Sequence, residues 1–171
     1  MGSSDIFAVV SNGNIGYQAN MAVVRFTQVQ ARDILNLPEE TVRHWRKVLP
    51  PLAKRPRRTP LSHGDLVALA AIHQVVQGFA IRVSALVAVA DDIFGFCNSR
   101  SWPALAACYL EIAESHAALK SIGSTPALKV GAVILIPLAP LIDELGQGLL
   151  GVEQDQSELR FPPTLQHGGK R

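Results

Sequence analysis

The chain has 171 residues, 48% of them hydrophobic and 18% charged, which suits one medium domain or a small domain with an extension and is enough to bury a core. Two cysteines, Cys97 and Cys108, are too few for a disulfide framework, and the best apolar run, 130–142, spans 13 residues with two prolines, short of the ~20 needed to cross a membrane. The formal net charge of +2 hides an asymmetry: Arg25 to Pro60 holds nine Lys/Arg and three acids, a local +6, and the remainder carries −4.

Residues 1–22 read as a flexible leader or extension without a cleavable secretory pattern, and the expected compartment is the cytoplasm. From Val23 the pattern sharpens. Thr27 and Gln30 have the spacing of a capping box for a first short helix, and Asn36 suits the left-handed turn that would end it. A second short helix then starts at Pro38-Glu39-Glu40, where proline and two carboxylates match the first turn and the helix dipole. Val42 and Trp45 can share its buried face, while Arg43, His44, Arg46 and Lys47 make the other face basic. Two short helices around a tight turn, the second of them basic, are a helix-turn-helix signal; a solvated basic helix is the plain alternative.

Pro50 and Pro51 are expected to close that helix. The following Lys54-Arg55-Pro56-Arg57-Arg58 is proline-interrupted, so it reads as a small β-wing or an irregular basic loop. Ser62 and Asp65 form a second capping box, opening a helix that Gly78 ends, and a further helix is expected over 84–96.

The order of these parts resembles the winged helix-turn-helix domain of MerR-type transcription regulators over roughly residues 26–90. The family pattern Gly-Val-Ser-x-x-Thr-Leu-Arg-Tyr-Tyr is matched by Asn36 to Trp45, Tyr-Ser-x-x-Asp-Leu by Leu61 to Leu66, and Gly-Phe-Ser-Leu by Gly78 to Ile81. Asn36 replaces the turn glycine, and Arg55, Arg57 and Arg58 stand where the family's wing has Gly-Tyr-Arg. The resemblance implies a mainly α fold with a winged helix-turn-helix domain over 23–96 and a dimerisation helix within the region 97–152, while the polar residues from Glu153, with Pro162-Pro163, read as a flexible tail over 153–171.

Beyond the domain, Trp102, Leu105, Tyr109, Ile112, His116 and Leu119 follow at steps of 3, 4, 3, 4 and 3, a heptad seam. A MerR-like protein places a dimerisation helix there, so these six residues are expected to join two copies; a helix packed on its own core is the alternative. Residues 128–136 read as a buried strand ended by Pro137, and Pro140 as the start of a short helix loosened by Gly146 and Gly148.

Cys97, Cys108 and His116 lack the spacing of a metal site, so buried structural thiols are the preferred reading and no metal is assigned. Asp91-Asp92 and Asp143-Glu144 point about 100° apart on a helix and do not converge for acid–base work. With no phosphate loop and no nucleophile or zinc motif, neither an enzyme nor a cofactor is expected.

The expected function is that of a sequence-specific, dimeric regulator bound to double-stranded DNA, with no membrane contact and an effector left unspecified. Phosphate contacts are assigned to Arg43, Arg46, Lys47, Lys54, Arg55, Arg57 and Arg58, and base-edge contacts to Gln30, Glu39, Glu40, Thr41 and His44. Trp45 is open between core, phosphate contact and both. The alternative is a winged-helix recognition subunit for packaging or excising a mobile element; a protein-interaction module is a third reading.

Overall fold

A computed structural model describes residues 24–124 and 131–154. Each early element starts where short-range chemistry puts it. Helix α1 (Gln28–Ile34) begins at Thr27, whose hydroxyl accepts the Gln30 amide at 3.2 Å while Gln30 Oε1 accepts the Thr27 amide at 2.9 Å. Both donors would otherwise be orphaned at the helix start. Asn36 turns the chain with a φ of 49°, a region Asn enters more easily than most residues. Helix α2 (Glu39–Val48) follows, its acids in the first turn and Arg46 and Lys47 in the last, both favourable to the helix dipole.

Helix α2 ends as expected before Pro50 and Pro51, with Leu49 already extended. They occupy the opening positions of a one-turn helix, α3 (Pro50–Ala53), where a missing N–H costs nothing. The basic segment 54–60 contains no strand. Strand β2 (Leu61–Ser62) follows it directly and runs antiparallel to β1 (Arg25–Phe26), which precedes α1, with Phe26 opposite Leu61. Helix α4 (His63–Gly78) starts from the expected Ser62–Asp65 capping box and ends at the expected glycine. It is buried on most sides, packing on α5 and α7. Gly64 lets α4 meet the end of α5 (Val87–Asn98): a Cβ there would lie 2.5 Å from the Cys97 carbonyl oxygen. The helix expected over 84–96 begins instead as a 3-10 turn, Val83–Leu86, and continues to Asn98.

The expected dimerisation helix is absent. Helix α6 covers only Trp102–Ala106, after which the chain forms a hairpin of β3 (Cys108–Ile112) and β4 (Ala117–Ser121), with Ile112 opposite Ala117. The turn closes with the Ala113 amide donating to the His116 carbonyl at 2.9 Å. Strand β5 (Ile134–Pro137) pairs on the other side of β3, giving the antiparallel order β4-β3-β5. The heptad steps left Cys108 and Leu110 off the seam, yet both are buried along with Ile112. That alternation is the period of a strand, and the two partner strands satisfy the backbone of β3. Leu105 and Ile112 therefore lie in the protomer's own core, Tyr109 donates its hydroxyl to the Ser124 carbonyl, and His116 sits in the hairpin turn. Trp102 and Leu119 are half-buried against that core.

Of the strand expected over 128–136, residues 128–130 lie outside the described residues, and the strand itself runs on through Pro137. Helix α7 (Leu138–Gln154) starts two residues before Pro140 and contains Gly146 and Gly148 in its interior. At Gly148 it comes so near α1 that a Cβ would stand 3.3 Å from Ile34. The leader 1–22 lies outside the described residues; of the tail expected over 153–171, Glu153 and Gln154 belong instead to α7, and the rest lies outside the described residues.

The fold is thus mainly helical with two small antiparallel sheets, and its core runs continuously from Phe26 to Leu145. Among the described residues no helix is long and apolar enough to cross a membrane. One polar group sits badly. Glu111, in the middle of β3, is 2% exposed between Ala118 and Leu135 on the neighbouring strands, and its Oε2 has no hydrogen-bond partner among the described residues.

Candidate nucleic-acid interface

The outer face of α2 carries exposed Arg43, His44 and Lys47, projected away from the buried Trp45 on the opposite side. Arg43 is held over the helix start by Glu39 at 3.0 Å and Glu40 at 2.9 Å. These are surface pairs and contribute little to stability, but they orient the guanidinium. Between α1, α2 and the basic segment lies a groove of about 810 Å³. Six cations line it, Arg32, Arg43, Arg46, Lys47, Arg55 and Arg57, against a single acid, Glu39.

Two arginines shape this groove by being tied down. Arg46 donates from Nη2 to the carbonyls of Pro56 at 2.6 Å and Arg55 at 3.2 Å, fastening the basic segment to α2. Its pKa is lowered by burial, and then by the neighbouring charges of Arg57 and Arg55. Arg55 forms a two-pronged pair with Asp65, at 2.6 and 3.1 Å. Asp65 is 1% exposed and also accepts from the Ser62 amide at 2.9 Å and from Asn98 Nδ2 at 3.0 Å. Burial pushes the Asp65 pKa up, but Arg55, the Ser62 amide and Asn98 together outweigh it and hold the carboxyl below its ordinary range. Gln28 on α1 donates its side-chain amide to the Arg57 carbonyl. An irregular seven-residue stretch thus acquires a defined path without strand pairing of its own.

The expected interface residues separate accordingly. Arg43, Arg46, Lys47, Arg55 and Arg57 share the groove, whereas Lys54 pairs with Asp91 at 3.2 Å and Arg58 is exposed outside the groove lining. Glu40 and His44 are exposed and Thr41 half-buried on α2, while the side-chain oxygen of Gln30 is engaged in its cap. Trp45 is corrected to a core residue: it is 3% exposed and meets the edge of His73 with ring centres 6.1 Å apart. Arg55 lines the groove with its guanidinium paired to Asp65, which ties it to the start of α4. The six seam residues Trp102, Leu105, Tyr109, Ile112, His116 and Leu119 form no common face for a second copy, because they are divided among α6, two strands and a turn.

Sequence reasoning missed Arg32 and Gln28, which α1 presents to the groove. Their four-residue spacing on a capped helix was the available signal. Cys97 is buried, and burial, aided by the Asp65 charge, pushes its thiol up to about 12; Cys108 is buried as well. No protein-family model matches the chain, and no curated protein is detectably similar to it.

Proposed function

We propose that the chain binds double-stranded DNA in a sequence-specific manner as a transcription regulator, through a winged helix-turn-helix of the MerR type. The observation that carries this reading is the basic groove in which α2 and the segment 54–58 meet, lined by six cations and one acid. The tight turn at Asn36 leads from α1 into α2, and the basic segment between α3 and β2 stands where this reading puts a wing. In this reading Lys47, Arg57 and Arg58 hold phosphates and set the register, while His44, Thr41 and Glu40 face base edges. Paired copies on a palindrome belong to the same reading, through a surface other than 102–119.

Selection from a random duplex pool tests it, followed by salt titration of the selected site. Lys47→Ala, Arg57→Ala and Arg58→Ala combined should weaken specific and random DNA alike. The dependence of log affinity on log salt should flatten by up to about 0.9 for each phosphate that the variant no longer neutralises. A pool that enriches no sequence, or a triple variant with the original slope, would refute the reading.

A further inference from the structure

A second concavity, of about 500 Å³, shares no residue with the basic groove. Strand β1, the start of α4, the link from α5 to α6, and α7 surround it. Its lining is mostly apolar, with Phe26 and the half-buried Trp102 among the walls. Trp102 is fixed in place: its Nε1 donates to the His63 carbonyl at 3.1 Å, and the His63 ring meets it edge-on with centres 6.5 Å apart. The one polar group of the indole is thereby satisfied within the protein, leaving hydrocarbon surface for a ligand.

The polar side of the cleft has one sign. Arg100 is exposed at its rim, where its guanidinium meets Cys108 Sγ at 3.5 Å, a weak acceptor. No acidic side chain lines the cleft among the described residues, and Arg100 forms no ion pair with any of them. Ser99 already donates its hydroxyl to the Phe96 carbonyl at 2.7 Å, which leaves Arg100, with Ser101 and His63 beside it, to meet a polar ligand group.

We propose that this cleft binds a flat aromatic carboxylate, its ring against Trp102 and Phe26 and its carboxylate on Arg100. A planar guanidinium pairs a carboxylate through two parallel hydrogen bonds, and an apolar cleft of this volume suits a drug-sized ring system. A polyanion would find a single guanidinium, and a neutral ring would leave it without a counter-charge. This inference stands apart from the DNA-binding reading, because its site, ligand and assay involve no nucleic acid.

The test is calorimetric titration of the full chain with 2-naphthoate and, separately, with the neutral 2-naphthamide. The carboxylate should bind saturably at one site per chain, and the amide roughly ten-fold or more weaker, the value of one charge-assisted contact. Arg100→Gln, a substitution at an exposed position, should bring the carboxylate down to the amide's affinity while leaving the melting temperature unchanged. Absence of saturable binding, equal affinity for the two probes, or an unaltered affinity in Arg100→Gln would each overturn the proposal.

Discussion

Arg55 and Asp65 show how a residue's role changes once its partner is known. The carboxylate is buried and the guanidinium keeps about a third of its surface in water, with 31% and 1% exposed for Arg55 and Asp65. Removing Arg55 leaves a buried carboxylate with only Ser62 and Asn98. Arg55→Gln should cost roughly 3 kcal/mol, the low end for a broken buried pair because the arginine is partly solvated. The pH dependence has a definite sign. The folded-state pKa of Asp65 lies below its ordinary 3.8, so its stabilisation is complete above that value and is lost as pH falls through the folded one. Denaturant melts at successive pH values should show a steep acid limb in the parent and a shallower one in Arg55→Gln. Glu111 makes the opposite case. Its Oε2 has no hydrogen-bond partner among the described residues and its strand neighbours are Ala118 and Leu135, so Glu111→Leu removes a desolvation cost and should raise stability by about 1–3 kcal/mol in the same assay.

At the scale of elements, the stretch from Trp102 to Leu119 separates a helical seam from a hairpin. A heptad spacing and a strand alternation overlap where apolar residues are dense: Ile112 satisfies both, while Leu105 lies in α6 before the strand begins. Leu105 and Ile112 are 0% and 3% exposed, inside the protomer. Leu105→Asp combined with Ile112→Asp should therefore abolish the cooperative thermal transition seen by circular dichroism, since each substitution buries an unpaired charge. A folded, monomeric double variant in sedimentation would instead indicate a surface seam. Two short elements were recognisable beforehand because they depend on neighbours within four residues: the Thr27–Gln30 and Ser62–Asp65 boxes appear where expected. The Asn36 turn belongs with them, its φ of 49° matching the conformation read from the residue type.

At the scale of the whole molecule, residues on both sides of position 96 share one core. Helix α7 packs on α4, α6 and α1, and Gly148 permits the close approach to Ile34. The core consequently includes Leu138, Leu141 and Leu145 alongside Phe26 and Trp45. A fragment of residues 24–98 would expose the faces of α1 and α4 that α7 covers. It should lack a cooperative melt and show poor amide dispersion in NMR, while the full chain unfolds in one transition. A fragment with a sharp transition of its own would establish an independent N-terminal domain.

Where the early helices start and turn, and the concentration of positive charge between Arg25 and Pro60, are legible in the residues alone. Capping, dipole preference, left-handed turns and net charge all act over a few residues, so the chemistry is complete within the local stretch. Tertiary structure alone decided that Trp45 belongs to the core, that Arg55 is pinned by Asp65, and that 108–121 is a hairpin. Each depends on a group brought near by folding: His73 for Trp45, the start of α4 for Arg55, and β5 for the central strand. The same holds for the basic groove, where Arg32 of α1 stands beside Arg57 only because Arg46 and Gln28 tie the basic segment back against both helices.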